Sequence, residues 1–117
     1  MEVSQTHLDK VSVLELTGAL DCGKADRELR SIFDTLAEQG RGRVILNVGA
    51  VYHIDSTCLG LLIAAHVTFQ RLGGALHLLN TPPSIQRLLT IAKLDQILLT
   101  FATQDEAIRA FDAGTGG

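Results

Sequence analysis

After residue 24 the period of the apolar residues switches back and forth between helix and strand, and few architectures accommodate that alternation. "KADRELRSIFDTLAEQG" sets Ala25, Leu29, Ile32, Phe33 and Leu36 on one helical face, with Gly40 as a stop. "RVILNV" is a short strand of the buried type, and a second helix follows, ending near Gly73-Gly74. "ALHLLN" is again a strand. Pro82-Pro83 open a third helix with Ile85, Leu88, Leu89 and Ala92 on its inner side. "QILLTFA" supplies the last strand, and Thr103 with Glu106 forms a capping box for a final helix ending near Phe111. Ahead of all this, "EVSQTHL" and "VSVLELTG" are two extended segments separated by Asp9-Lys10, the spacing of a tight hairpin. Strands and helices joined by short connections call for a parallel sheet with crossover helices. The expected fold is therefore α/β. It is one domain over residues 1–112, with a mixed, mostly parallel sheet, an N-terminal hairpin, about four helices and a flexible tail at 113–117.

With 117 residues, the chain is long enough for one real core and too short for two. Ten basic against thirteen acidic residues leave a net charge of −3, which argues against nucleic acid as a partner. The densest apolar run, residues 58–65, is far below the ~20 residues of a membrane span. "MEVSQTHLDK" has neither a basic n-region nor an apolar h-region, so no signal peptide is expected. Cys22 and Cys58 make no disulfide framework. A reduced, cytoplasmic protein is the expectation.

Several chemistries are incomplete. Gly18, Gly23 and Lys24 in "GALDCGKA" satisfy most of a phosphate-binding loop, but Ala25 stands where a Mg²⁺-binding hydroxyl belongs. "RVILNV" offers no second acid, so a nucleotide-binding enzyme built on Gly18–Lys24 is the weaker alternative. His7, His53, His66 and His77 lack zinc-site spacing and read as isolated surface or strand histidines. His53, Asp55 and Ser56 are sequence neighbours on one turn without a nucleophile elbow. No catalytic residue, metal or cofactor is expected. Cys58, a thiol in a first helical turn, reads as a packing residue ahead of a redox sensor.

The sequence is most informative at "HIDSTCLGLLIAAH". Asp55 or Ser56 suits an N-cap. Beyond it, Leu59, Leu61, Leu62, Ile63, Ala64 and Ala65 encircle the helix axis, whereas a helix lying on a sheet needs only an apolar stripe. That surplus implies an outer face meeting another helix or another protein. A phosphoryl group on a hydroxyl here would add about −1.5 to −2 charges. The helix dipole would favour that charge by ~0.3–1 kcal/mol, so the fold would survive and the docked partner would be repelled.

"HIDSTCLGLL" resembles the Asp-Ser-Ser/Thr-Gly-Leu-Gly signature of STAS domains, specifically the bacterial anti-sigma factor antagonists. "LTGALD" is similar to the family's Leu-x-Gly-x-Leu-Asp, and "GGALHLLNTPPSIQRLLTIAKLDQIL" to the segment that follows the signature. The resemblance spans about a hundred residues. It implies a binding protein and no enzyme. Such antagonists bind an anti-sigma factor that is a serine/threonine kinase and so release a sigma factor; the kinase phosphorylates the antagonist and a phosphatase reverses this. Carried over by position, Asp55 is the family acid, Ser56 the first hydroxyl and Thr57 the usual phosphoacceptor, with Ser56 as the alternative. Leu59 and Gly60 complete the signature, and Asp21 is the acid of the docking loop. The expected partner face comprises Asp21, Asp55, Ser56, Thr57, Cys58, Leu59 and Leu61. Two departures bear on the switch: Cys58 replaces a Gly, and Thr57 adds a methyl to a Ser acceptor. Ala92-Lys93 also stands where the family commonly has a Gly. The remaining alternative is a STAS subunit of a stress-signalling or lipid-transport complex without sigma regulation. Oligomeric state is not legible.

Overall fold

The computed structural model describes residues 2–21 and 24–114. Strands β1 (Glu2–Leu8) and β2 (Val11–Leu20) pair antiparallel with Leu8 opposite Val11, so Asp9 and Lys10 alone make the turn. Asp9 takes a left-handed φ of 55°, which Asp tolerates better than most residues, and the Arg41 guanidinium donates to its carbonyl at 3.3 Å. There follow α1 (Lys24–Glu38), β3 (Arg43–Ile54), α2 (Ser56–Arg71), β4 (Ala75–Leu79), α3 (Pro83–Ile91), β5 (Thr100–Phe101) and α4 (Gln104–Gly114). The five strands lie in chain order, β1-β2-β3-β4-β5, and every pair after the hairpin is parallel.

Because each crossover steps the same way along the sheet, α1, α2 and α3 share one face. Leu14, Leu16, Val44, Leu46, Leu76 and Leu78 point to that face. They form a continuous core with Leu29 and Phe33 of α1, Leu62 and Phe69 of α2, and Ile85 and Leu89 of α3. The Phe33 and Phe69 rings meet edge to face at 5.8 Å. α4 covers the opposite face, where Ala107 and Phe111 pack on Val11, Val13, Ile45 and Leu79. Thr103 caps α4 as the sequence pattern predicts: its hydroxyl accepts from the Glu106 amide at 3.2 Å and donates to the Glu106 carboxylate at 3.0 Å.

Three expectations are corrected. "QILLTFA" pairs only through Thr100 and Phe101; Leu98 plugs the core while Ile97 and Leu99 stay exposed. On α3, Ile85 and Leu89 face inward, but Leu88 and Ala92 face solvent, since a nine-residue helix packs through one i, i+4 pair. α4 runs to Gly114, past the stop expected at Phe111. Of the glycine-lysine loop, Cys22 and Gly23 lie outside the described residues, as do residues 115–117 of the expected tail.

Three helices end in the same motif. In each, the residue after the C-cap is left-handed and two amides turn back to the last carbonyls. For α1 these are Gly40 to Ala37 and Arg41 to Leu36, and for α2 they are Gly73 to Gln70 and Gly74 to Phe69. For α3 they are Lys93 to Thr90 and Leu94 to Leu89. Gly40 and Gly73 hold φ of 71° and 83° freely, whereas Lys93 holds φ 60° with a Cβ present. Lys93→Gly is therefore expected to stabilise the protein by about 1 kcal/mol, the usual left-handed penalty. A raised urea midpoint with unchanged slope would show it; a lowered midpoint would mean that the Lys side chain contributes more than its backbone costs.

His66 and His77, expected as isolated surface or strand histidines, are buried at 6% and 3% exposure. For His66 the reason is the shortness of β5. Along the outer edge of β4, the Leu78 amide reaches the Leu99 carbonyl and the Asn80 amide that of Phe101. By the period of two, the Leu76 amide points to the same edge, beyond the reach of β5. His66 takes the missing carbonyl's place: its Nδ1 accepts from the Leu76 amide at 3.1 Å. His77 Nδ1 sits 2.9 Å from the Ala107 carbonyl, and its ring stacks on Phe111 at 4.1 Å. Burial holds both rings below the ordinary imidazole pKa, and for His77 the neighbouring His66 adds to this. In the unfolded chain both rings titrate near 6.5. As pH falls below that value the unfolded chain takes up protons that the fold excludes, so stability is full above it and declines toward the lowered folded values. The expected slope is up to about 1.4 kcal/mol per pH unit for each ring. Urea midpoints between pH 7.5 and 5 should fall for the wild type and fall less for His77→Phe; equal slopes would refute this assignment.

Candidate functional site

The carboxyl-terminal ends of β2 and β3 and the start of α2 converge at one edge of the sheet, the place where parallel α/β sheets present their functional loops. Asp55 is the N-cap of α2, with extended backbone (φ −98°, ψ 170°) and a carboxylate that accepts from the Cys58 amide at 2.9 Å. Its carbonyl accepts from the Leu59 amide at 3.1 Å. Its own amide donates to the Leu20 carbonyl at 3.1 Å, tying the turn to the end of β2. Asp21 follows Leu20 directly and is exposed, so both acids of the sequence reading emerge on this edge.

Ser56 and Thr57, the first two residues of α2, are exposed. Their amides have no hydrogen-bond partner among the described residues, and the first turn carries no acidic side chain after the cap. The amino end of the helix thus offers its positive pole and two hydroxyls to solvent. Gly60 lies one turn on; a Cβ there would meet nothing within 4 Å. With Ala64 also exposed, the outer strip of α2 is low and flat.

Residues 2–107 match the sequence profile of the STAS domain family. The chain belongs to the STAS domain family. Across 101 residues, this STAS domain is 26% identical to a candidate anti-sigma factor antagonist of Thermotoga maritima, covering 86% of this chain and 89% of that protein. Among solved structures, a candidate anti-sigma factor antagonist from the same organism superposes with a TM-score of 0.86 at 22% identity, over 94% of both chains. The anti-sigma factor antagonist SpoIIAA in its unphosphorylated form gives 0.81 at 24% identity, covering 96% of this chain and 97% of that one. The phosphorylated form of SpoIIAA, a Bacillus cell-fate determinant, gives 0.73 over 92% and 97%. The homology is thus to anti-sigma factor antagonists, and the fold is that of SpoIIAA.

Within the STAS domain three of the expected partner residues are placed differently. Cys58, Leu59 and Leu61 are 0%, 8% and 6% exposed and belong to the chain's own core. Much of the apolar character of α2 is absorbed internally, because the helix packs on the sheet and on α1, while Ala64 stays exposed and Ile63 half-buried. Cys58 is a packing thiol. Of the phosphate-loop pattern, Gly18 lies inside β2, at φ 105° beside a register shift, so it serves a bulge in the strand.

Tyr52 went unread in the sequence. It is the chain's single tyrosine, stands three residues before Asp55, and is 76% exposed at the end of β3. A large aromatic beside an acidic turn was the available signal.

Proposed function

We propose that this STAS domain is an anti-sigma factor antagonist that docks an anti-sigma factor with serine/threonine kinase activity and is released by phosphorylation at the turn of α2. The observation that carries the reading is the first turn itself: Thr57 is exposed at a helix start whose fold-side bonds are already made by Asp55. The existence of a phosphorylated SpoIIAA structure of the same fold supports it.

In the proposed step the Thr57 hydroxyl attacks the γ-phosphorus of ATP. The O–P bond forms as the bond to the β-phosphate oxygen breaks, ADP leaves, and the hydroxyl proton passes to a base of the kinase. A phosphatase returns the free hydroxyl by hydrolysis. The domain contributes position only and catalyses nothing. Thr57 is the preferred acceptor and Ser56 the alternative. The partner face is now read as Asp21, Asp55, Ser56, Thr57 and Gly60, with Tyr52 as an aromatic anchor. The protein acts in the cytoplasm and regulates sigma-dependent transcription.

The test is incubation with ATP and each serine/threonine kinase of its genome, followed by mapping of the phosphosite. Phosphate on Thr57, lost in Thr57→Ala while association with the kinase persists, is the expected result. Phosphate on Ser56 would move the switch to the alternative acceptor; phosphate outside the α2 turn, or none with any kinase, would overturn the reading.

A further inference from the structure

Beside the outer edge of β4, between α2 and α4, lies a groove of about 690 Å³, within the range of small-molecule sites. It is separate from the proposed switch: His66 on its wall lies ten residues beyond Ser56, roughly 15 Å along the helix. His66 and His77 both line it, and both are more than nine-tenths buried.

Their hydrogen bonds fix opposite tautomers. A backbone amide can only donate, so His66 Nδ1 carries no proton and Nε2 carries one. A carbonyl can only accept, so His77 Nδ1 holds the proton and Nε2 has a lone pair. Neither Nε2 has a partner among the described residues, and neither is among the sealed, unpaired polar atoms of the interior. The two rings therefore bring one donor and one acceptor to the groove, beside the side-chain amides of Gln70 and Gln96 that also line it. Its apolar walls include Ile63, Val67, Ile97, Leu99 and Phe111, and no lining residue is charged.

This pair is not set up as a metal clamp. A ligating histidine donates its second N–H to a neighbour, as His77 does, but His66 accepts there and keeps its proton on the outward nitrogen. We infer that the groove binds a small, uncharged, planar molecule bearing a primary amide or lactam edge, whose carbonyl accepts from His66 Nε2 and whose N–H donates to His77 Nε2. The apolar walls hold the ring, and the absence of charge in the lining disfavours ions. The inference is independent of the phosphorylation reading.

Benzamide is the probe. Titrated into the uniformly ¹⁵N-labelled protein, it should give saturable shifts at the Leu76 amide and at both imidazole Nε2 signals, with a dissociation constant of roughly 1–10 mM for so small a ligand. N,N-dimethylbenzamide, which lacks the donor, and benzoate, which is charged, should bind at least tenfold more weakly. His77→Phe keeps the ring stack but lacks the acceptor, and His66→Asn keeps an acceptor for Leu76 but lacks the outward N–H; each should weaken benzamide at least fivefold. The wild-type imidazole spectra stand even where a variant fails to fold. Two identical tautomers, equal binding of the dimethyl compound, or Zn²⁺ shifting both Nε2 signals would overturn the proposal.

Discussion

Gly74→Ala is expected to abolish cooperative folding, at a cost above about 4 kcal/mol out of the 5–15 that such a domain has. The reason is contact, not backbone strain, for Gly74 is absent from the residues with positive φ. A Cβ built there would overlap the Gly42 carbonyl oxygen and carbon. Both atoms are backbone, so no side-chain rotation relieves the clash. The two glycines meet where β3 and β4 begin to pair, with Arg43 opposite Ala75 and the Ala75 amide donating to the Gly42 carbonyl at 2.9 Å. The Gly74 amide also closes α2 on the Phe69 carbonyl at 2.9 Å. Admitting a methyl would part the two central strands and loosen the helix end together. Gly73→Ala is the control: its Cβ would meet nothing within 4 Å, so only the left-handed penalty of ~1–2 kcal/mol remains. Urea unfolding followed by circular dichroism should rank the wild type above Gly73→Ala, with Gly74→Ala showing no transition. A Gly74→Ala protein within 1 kcal/mol of the wild type would show that the strands do not approach this closely.

What could be read in advance was what depends on near neighbours. The Asp9-Lys10 hairpin, the Thr103 cap and the Asp55 turn are each set by residues within a few positions, and each stands where the pattern puts it. What could not be read depends on distant parts. The surplus of leucines on α2 looked like an outer docking face; whether Leu59 and Leu61 face solvent is decided by α1 and the sheet, which enclose them. "QILLTFA" has strand composition, but pairing stops at two residues, and Leu98 turns inward to fill the core. That shortfall in β5 strands the Leu76 amide, which in turn recruits His66 ten positions earlier. No local pattern announces such a chain of consequences, so the groove was invisible while the turn at Asp55 was plain.

Thr57→Glu is expected to weaken docking of the proposed kinase partner at least 30-fold, about 2 kcal/mol, while leaving the domain at least as stable as the wild type. Those two effects have opposite signs because the same charge meets two different fields. Toward the fold, position 57 lies in the first turn of a 16-residue helix, where a carboxylate gains ~0.3–1 kcal/mol from the dipole. Toward the partner, it adds a second negative charge two residues from Asp55, on an edge that already carries Asp21. A surface that closes over Ser56, Thr57 and Gly60 must then desolvate that charge or face repulsion. Thr57→Val keeps the shape and removes the hydroxyl, so it should bind within threefold of the wild type and resist phosphorylation. Calorimetric titration of the partner with the three proteins separates charge from shape, and thermal unfolding verifies that each is folded. Should Thr57→Glu and Thr57→Val bind alike, charge at this turn does not govern docking. Should Thr57→Glu lose stability instead of gaining it, the helix end is not the open positive pole that the switch requires.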